Sequence, residues 1–534
     1  MKNQTYPHYI KKQILILQKI SNMRHLILFI LVTFTFSVFA QKPDLQKLEV
    51  YIQKCMTEWE IPGMAVGIVK NDTLIFAKGF GIREIGKPEK VDENTMFGIA
   101  SNTKAFTAAA LATLVDEGKI KWDDKVTDYI PYFEMYDPFV THEMTIRDLL
   151  CHRSGLETFS GDLIWDATTY TREEIIKRIK YLKPVYSFRS HYGYSNVLVL
   201  TAGEIIPKVT GKSYDEYIRE KFFEPLGMKN TNTTIKKHAE YKNLAIPHAR
   251  NNGKTVTVKY ISWDNIAPAG GINSTVNDMS KWIKMQLNNG TQENHLFFTK
   301  DAQREMWSAQ TVEDISKFDD YMFPSMHFHS YGLGWDLFDY HGKKVINHSG
   351  GLDGMISQVV LVPEEKLGFV ILTNNINYLP YTLMYSIMDR FFNVEGKDYS
   401  SILVKYVKAN EENKIKEEKE AEEKRNKNSK TTLPLEKYCG TYGGDLYGNA
   451  TITLKEGKLN LQFVPAPDFF SVLEHWQYDA FVVEFKNFPS LPKGKVNFIL
   501  NQNAEVYEFK IDVPNPDFDF TELTFKRIMD KSQH

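Results

Sequence analysis

Phe97-Gly98-Ile99-Ala100-Ser101-Asn102-Thr103-Lys104-Ala105-Phe106-Thr107-Ala108-Ala109-Ala110-Leu111-Ala112-Thr113-Leu114 decides how the rest of the chain folds. A serine opens a run of good helix formers, and a lysine follows three positions later. Ser101 has the N-cap chemistry of a helix start, so the sequence predicts a helix beginning there. Nearly every residue from Ala105 to Leu114 is apolar, which predicts a helix buried on all sides. Residues three apart share a helix face, so the Ser101 hydroxyl and the Lys104 amine are expected side by side. Burial disfavours the charged form of a lysine and lowers its pKa, which makes it a base. An activated serine nucleophile needs such a neighbour.

The 534-residue chain is too long for one ordinary core and predicts two or more domains. Lysine plus arginine number 65 against 67 aspartates and glutamates, a net charge of −2 that argues against a nucleic-acid partner. Cys55, Cys151 and Cys439 lie far apart with no C-x-x-C spacing. They form neither a disulfide framework nor a zinc site, and are expected as buried free thiols. Near the N-terminus, Met23-Arg24-His25 is a short basic start, Leu26 to Phe39 is almost wholly apolar, and Val38-Phe39-Ala40 precedes Gln41. That is the pattern of a secretory signal peptide over residues 1–40, with Met23 as an alternative start, and it predicts an exported, periplasmic or secreted protein. An uncleaved anchor is the competing expectation. The apolar run is shorter than the ~20 residues a spanning helix needs.

Beyond the signal, apolar spacing predicts a helix from Asp44 to Trp59 and a hairpin of Met64–Val69 with Thr73–Lys78. Gly118 is expected to end the Ser101 helix. Further helices are predicted from Thr145, over Thr171–Tyr181, Val197–Ile206, Tyr214–Phe223, Thr275–Leu287 and Leu383–Phe392. Strands are predicted at Tyr331–Trp335, Val345–His348, Ser357–Val362 and Gly368–Asn374. Strands thus come mainly at the two ends of residues 44–395, which predicts an α+β domain: one antiparallel sheet flanked by helices, with a helical insert. Residues 405–430 are almost all charged or polar from Glu411 onward and are expected as a linker able to support an exposed helix. From Leu433 short alternating strands predict a small all-β meander or barrel over 433–530.

Ser-x-x-Lys alone is a weak signal. It occurs at Ser101–Lys104 and at Ser490–Lys493, but the second contains Pro492 and lacks a helical setting. Two more groups are needed: a proton shuttle and donors for a tetrahedral oxyanion. Tyr194-Ser195-Asn196 sits in a glycine-bearing loop before an apolar helix, unlike the other Tyr-x-Asn patterns at Tyr241 and Tyr447. Asn347-His348-Ser349-Gly350-Gly351 ends a predicted strand in glycines, which permit close backbone approach to a ligand.

In this order, Ser101-x-x-Lys104, Tyr194-Ser195-Asn196 and His348-Ser349-Gly350 resemble the serine β-lactamase and penicillin-binding-protein superfamily. The branch most similar is that of the class C β-lactamase-related hydrolases, which include D-aminopeptidases, carboxypeptidases and esterases. Leu149 to Leu156, Pro268 to Gly271, Tyr331 to Trp335 and His348 to Met355 add to the likeness, which covers roughly residues 44–395. The tail resembles the lipocalin-like β-barrel appended to some of these peptidases. The resemblance implies that Ser101 attacks the acyl carbon, that Lys104 and Tyr194 share the base and proton-return roles, and that Asn196 orients the substrate amide. It implies an oxyanion hole from the N–H groups of Ser101 and Gly351, with His348, Ser349 and Gly350 on the substrate side. It implies no metal and no cofactor.

One departure bears on substrate. The β-lactamase pattern has lysine where this chain has His348, and histidine is mostly neutral near pH 7. The expectation shifts from β-lactams toward small peptide amides or esters, D-amino-acid peptides among them. Two other classes stay open: a penicillin-binding sensor that acylates without turnover, and an idle scaffold that self-associates through the β domain. His152 is expected in a structural turn. His327 and His329 show no third metal ligand in the sequence. Trp165 and Trp335 are expected in the core or the pocket wall.

Overall fold

A computed structural model describes residues 43–528 except 237 and 252. The signal-peptide expectation therefore lies outside the described residues. Among those described, no helix is long and apolar enough to cross a membrane.

Most of the chain, Leu45–Ile387 with Lys397 onward, forms one compact unit. It begins with helix α1 (Leu45–Glu58), whose apolar residues Leu48, Ile52, Cys55 and Met56 are buried on one face. The hairpin β1 (Gly63–Lys70) and β2 (Thr73–Gly81) follows. Residues 97–114 then give helix α2 (Thr103–Asp116), in which every residue from Thr103 to Leu114 is buried, as the apolar run predicts. Gly118, at φ +68°, closes it by donating to Val115 O. The other long helices of this region are α3 (Asn196–Thr210) and α4 (Val276–Leu287). Strands β3 (Thr311–Val312), β4 (His329–Tyr331), β5 (Asp336–Tyr340), β6 (Lys343–Leu352), β7 (Met355–Val362) and β8 (Leu367–Thr373) complete an eight-stranded sheet. Its spatial order is β2-β1-β8-β7-β6-β5-β4-β3, and every pairing is antiparallel. The first hairpin thus joins strands from the far end of the domain.

β7 and β8 are apolar and almost wholly buried along their length, the signature of a sheet covered on both faces. Helix α4 packs on β1 and β8. Trp282 of α4 stacks on Phe106 of α2 with centroids 3.7 Å apart, which fixes the Ser101 segment within the core. Between α2 and α4 lies the helical insert. It includes Ile146–Leu150, which starts with a reciprocal capping box between Thr145 and Asp148. Asp148 is fully buried and holds both Arg153 (2.7 Å) and Arg189 (2.6 Å).

The structure corrects one expectation here. Tyr331–Trp335 is not a continuous strand: the chain turns at Gly332–Trp335 between β4 and β5. Gly334 has φ +71° and lies so near the Lys104 carbonyl that a Cβ there would fall 2.6 Å from it. The close approach to α2 requires a glycine turn where the aromatic pattern suggests extension. The charged stretch from Glu411, expected as a linker able to support an exposed helix, lies mostly in a helix, Tyr399–Lys424, which is exposed beyond its first turns, where Tyr399, Ser400, Leu403 and Val404 are buried.

From Gly440 the chain forms a closed eight-stranded barrel, ending in Phe525–Arg527 paired with the first strand, Gly440–Gly444. Its interior is filled with aromatic rings: Phe463, Phe469, Phe485 and Phe525 are all at most 2% exposed and pack on one another. It is a packed core and not a cavity. The second, smaller unit takes in residues 388–396, the end of helix Leu379–Phe392 and the turn after it, where Val394 N donates to Asp389 O at 2.9 Å. Cys55 and Cys151 are buried free thiols, and Cys439 is a half-buried one.

Candidate active site

Ser101 lies not at the cap of α2 but inside a 3₁₀ turn, Ala100–Asn102, that runs into it. No side chain caps that turn or the helix, so the expected N-cap role of Ser101 is corrected. Ala100 is held at φ +46° without being glycine. That sparsely populated conformation costs of order 1–3 kcal/mol and sets the angle at which Ser101 leaves the chain. The hydroxyl is free of capping and instead accepts from Lys104 Nζ at 3.0 Å.

Lys104 is fully buried. Its Nζ donates to Asn196 Oδ1 at 2.6 Å and to the Ala269 carbonyl at 2.9 Å as well as to Ser101. Burial brings its pKa down to about 7, against a smaller upward pull from Asp162. Its amine also lies over the Tyr194 ring, 4.7 Å from the centroid. Asn196 faces both ways: its Nδ2 donates to Asp162 Oδ2 at 2.7 Å. Burial pushes Asp162 up to about 7, although bonds from Trp165 Nε1 and Asn196 oppose the shift.

Tyr194 is half-buried, and loss of hydration raises its phenol well above the ordinary value while the Ser101 hydroxyl pulls the other way. It is a protonated group at neutral pH. Its loop is fixed from two sides. His152, at φ +58° and 1% exposed, uses Nδ1 to accept from Ser195 N at 3.1 Å, and its ring lies 4.2 Å from that of Tyr194. On the other side, Phe159 N donates to Tyr194 O (2.8 Å) and Tyr194 N donates to Thr158 Oγ1 (3.2 Å).

The end of β6 passes beside Ser101. A Cβ on Gly350 would fall 2.9 Å from Ser101 N and 2.2 Å from Ile99 O, so only glycine lets this strand approach. Ser357 of β7 ties the two segments, donating to Ile99 O at 2.7 Å and accepting from Asn102 Nδ2 at 2.8 Å. Ser349 is exposed, and so is Gly351, next to Gly350. His348 is turned inward, 4% exposed, with Nε2 bonded to Tyr331 Oη at 2.7 Å and Nδ1 to the Ser349 carbonyl. Burial and the Lys104 charge bring its pKa down to about 4, so the ring is neutral.

The structure therefore brings Ser101, Lys104, Tyr194, Asn196, His348 and Gly350 to one place. Asp162, the Ala269 carbonyl and Tyr331 join them, and the sequence does not single these out as functional. A backbone acceptor carries no side-chain signal, and Asp162 follows a glycine in a stretch without motif. Trp165 and Trp335 are both buried. The histidines 327 and 329 part company: His327 pairs with Asp339, while His329 lies with Glu313 and Asp336. Among the described residues these three are the group whose ligand atoms come within 4.8 Å of one another. His329 Nε2 already bonds Asp336 at 2.7 Å, and its pKa is raised to about 9, with the Asp336 bond and charge outweighing burial.

Comparison with known proteins follows this geometry. Residues 48–379 match the model of the β-lactamase family, more than half of the chain. The chain belongs to the β-lactamase family. This family of serine hydrolases accounts for the sheet and the helical insert. Residues 424–527 match a domain of unknown function, DUF3471, over the barrel. The β-lactamase-family chain is 29% identical to an unguisins hydrolase of Aspergillus campestris, over 78% of this chain and 79% of that one. It is 28% identical to protein flp of Staphylococcus aureus, over 63% and 64% respectively. In structure it resembles the octameric penicillin-binding protein homologue from Pyrococcus abyssi, with a TM-score of 0.59, 22% identity, and coverage of 91% of this chain and 100% of that chain. That last likeness concerns the fold.

Proposed function

We propose that the chain is an exported hydrolase that cleaves amide or ester bonds of small peptide-like substrates through an acyl-enzyme on Ser101. The observation that carries this reading is the buried Lys104 amine, 3.0 Å from Ser101 Oγ with a pKa near neutrality. In its neutral form Lys104 takes the Ser101 proton as Oγ bonds to the substrate carbonyl carbon. The N–H groups of Ser101 and Gly351 stabilise the oxyanion. The protonated phenol of Tyr194 passes its proton to the leaving amine or alcohol as the scissile bond breaks, and the phenol is restored from Lys104. Water then cleaves the acyl-enzyme. Similarity to a protein named as a hydrolase over most of the chain supports turnover. Neutral His348 supplies no fixed positive charge for a substrate carboxylate, which favours amides and esters over β-lactams. The basic, apolar and small-residue order of residues 23–40 supports export.

Intact-mass labelling with a fluorophosphonate tests the nucleophile. Wild type is expected to gain one adduct and Ser101→Ala none; equal labelling of the two overturns the assignment. Release of p-nitrophenol from an ester beyond one equivalent is expected. A burst that stops at one equivalent would make the protein an acylating sensor for that ester.

A further inference from the structure

The barrel reaches the catalytic loop. Glu522 stands on the short turn Phe520–Glu522 that precedes the last barrel strand. Its carboxylate accepts from Ser160 Oγ through Oε1 and from Gly161 N through Oε2, the latter at 2.9 Å. Ser160 is 2% exposed. The two donors sit in the middle of residues 158–165, the stretch that fixes the tyrosine loop. Upstream, Thr158 and Phe159 bond the backbone of Tyr194. Downstream, Asp162 accepts from Asn196, whose other end accepts from Lys104. Every catalytic side chain except Ser101 itself is thus tied to a stretch whose centre is held by a carboxylate from the other domain.

We propose that Glu522 is a positioning residue of the Ser101 site, holding residues 158–165 so that Tyr194 and Asn196 face Ser101 and Lys104. This rests on the serine hydrolase reading above. The clamp is the hydrogen-bonded part of the contact between residues 158–165 and the barrel domain, where Trp165 also lies edge-on to Phe518 with ring centroids 6.4 Å apart. Tyr170 Oη donates to Tyr447 O at 2.8 Å, Arg178 donates to Asp445 O and Leu446 O, and Lys259 pairs with Asp468 at 2.7 Å. None of these touches residues 158–165. A carboxylate fits the task because it accepts two donors with two oxygens. Glutamine there would turn an N–H₂ toward one of them and leave a buried donor unpaired.

Glu522 also acts by charge. Lys104, Tyr194, Asp166 and Glu522 are the titratable groups around Asp162, and His152, His348, Tyr194 and Asp162 are those around Lys104. Glu522 disfavours the Asp162 anion, and that anion holds the proton on Lys104. Removing the Glu522 charge therefore leaves Lys104 protonated to a higher pH.

The test is the rate of fluorophosphonate labelling of Ser101 against pH in the full chain. Glu522→Gln is expected to label about tenfold more slowly than wild type, as misplacement of catalytic groups does. Its ascending pH limb is expected to move upward. Ser160→Ala, which removes one donor without altering the barrel, is expected to slow labelling in the same direction. It also serves should Glu522→Gln fail to fold. Lys259→Ala, which loosens the domain contact elsewhere, is expected to label as wild type does. Wild-type rates and limb in Glu522→Gln and Ser160→Ala, or equal slowing in Lys259→Ala, would overturn the proposal. An unlabelled wild-type protein would instead defeat the Ser101 reading before any variant is compared.

Discussion

Lys104 is the residue whose surroundings decide the chemistry. Its three hydrogen bonds, to Ser101, Asn196 and Ala269, satisfy the three N–H groups of an ammonium. To act as a base it must lose one proton, and burial has lowered the pH at which it does so to about 7. The neutral fraction grows with pH through that value. Acylation of Ser101 is therefore expected to rise about tenfold per pH unit below 7 and to level off above it. Lys104→Arg, which keeps its charge at every accessible pH, is expected to be nearly inactive with no such limb. Stopped-flow labelling between pH 5 and 9 measures both. Part of this was legible beforehand: Ser101 and Lys104 follow from helical spacing, and Tyr194 and Asn196 from a polar loop ahead of an apolar helix. The Ala269 carbonyl and the Asp162 carboxylate were not. Their roles come from tertiary approach, in one case of a backbone atom that any residue supplies.

At the scale of elements, the turn Gly332–Trp335 shows why pattern alone misleads. Tyr, Leu and Trp at alternate positions suggest a strand, but Gly334 must adopt a positive φ beside the Lys104 carbonyl. Gly334→Ala is expected to cost a few kcal/mol through strain and contact with α2. A drop in the urea midpoint at unchanged m-value, together with slower Ser101 labelling, is the expected result. The capping box before Ile146 offers a second case. Thr145 and Asp148 are legible as a helix start, but the sequence does not show that Asp148 also gathers Arg153 and Arg189 in a buried site. Bonds from Arg189, Thr145 and Arg153 hold its carboxyl below the usual range despite burial. Asp148→Ala leaves two arginines facing an emptied buried site, and a loss of about 3–5 kcal/mol is expected in equilibrium unfolding.

Across the whole molecule, one antiparallel sheet with an insert and a following β domain were legible from where the apolar runs fall. Closure of the barrel stood in the sequence only as an alternative to a meander and through the resemblance of the tail to a lipocalin-like barrel, because pairing of the first strand with the last leaves no local pattern. Acid stability is also a property of the whole. Burial holds His152, His238, His248 and His348 below their ordinary pKa of 6.5. As pH falls below 6.5 the unfolded chain takes up protons that these folded histidines refuse. The stability they contribute is complete above 6.5 and is lost progressively as pH falls below it, for His348 down to about 4. The melting temperature is expected to fall over that window. His348→Gln is expected to show a shallower fall, and calorimetry between pH 7.5 and 4.5 measures it.

The closed barrel has a consequence for how copies of this chain meet. A ring of eight strands has no outermost strand, so its backbone N–H and C=O groups offer no template to a neighbour. The catalytic sheet is open, with β2 at one end and the two-residue β3 at the other. β2 carries Lys78, paired with Glu49 on α1 and half exposed, a charge on the longer edge. The longer open edge of this sheet thus carries a charge that opposes strand addition between molecules. The appended barrel enlarges the β content of the chain without adding an open edge of its own.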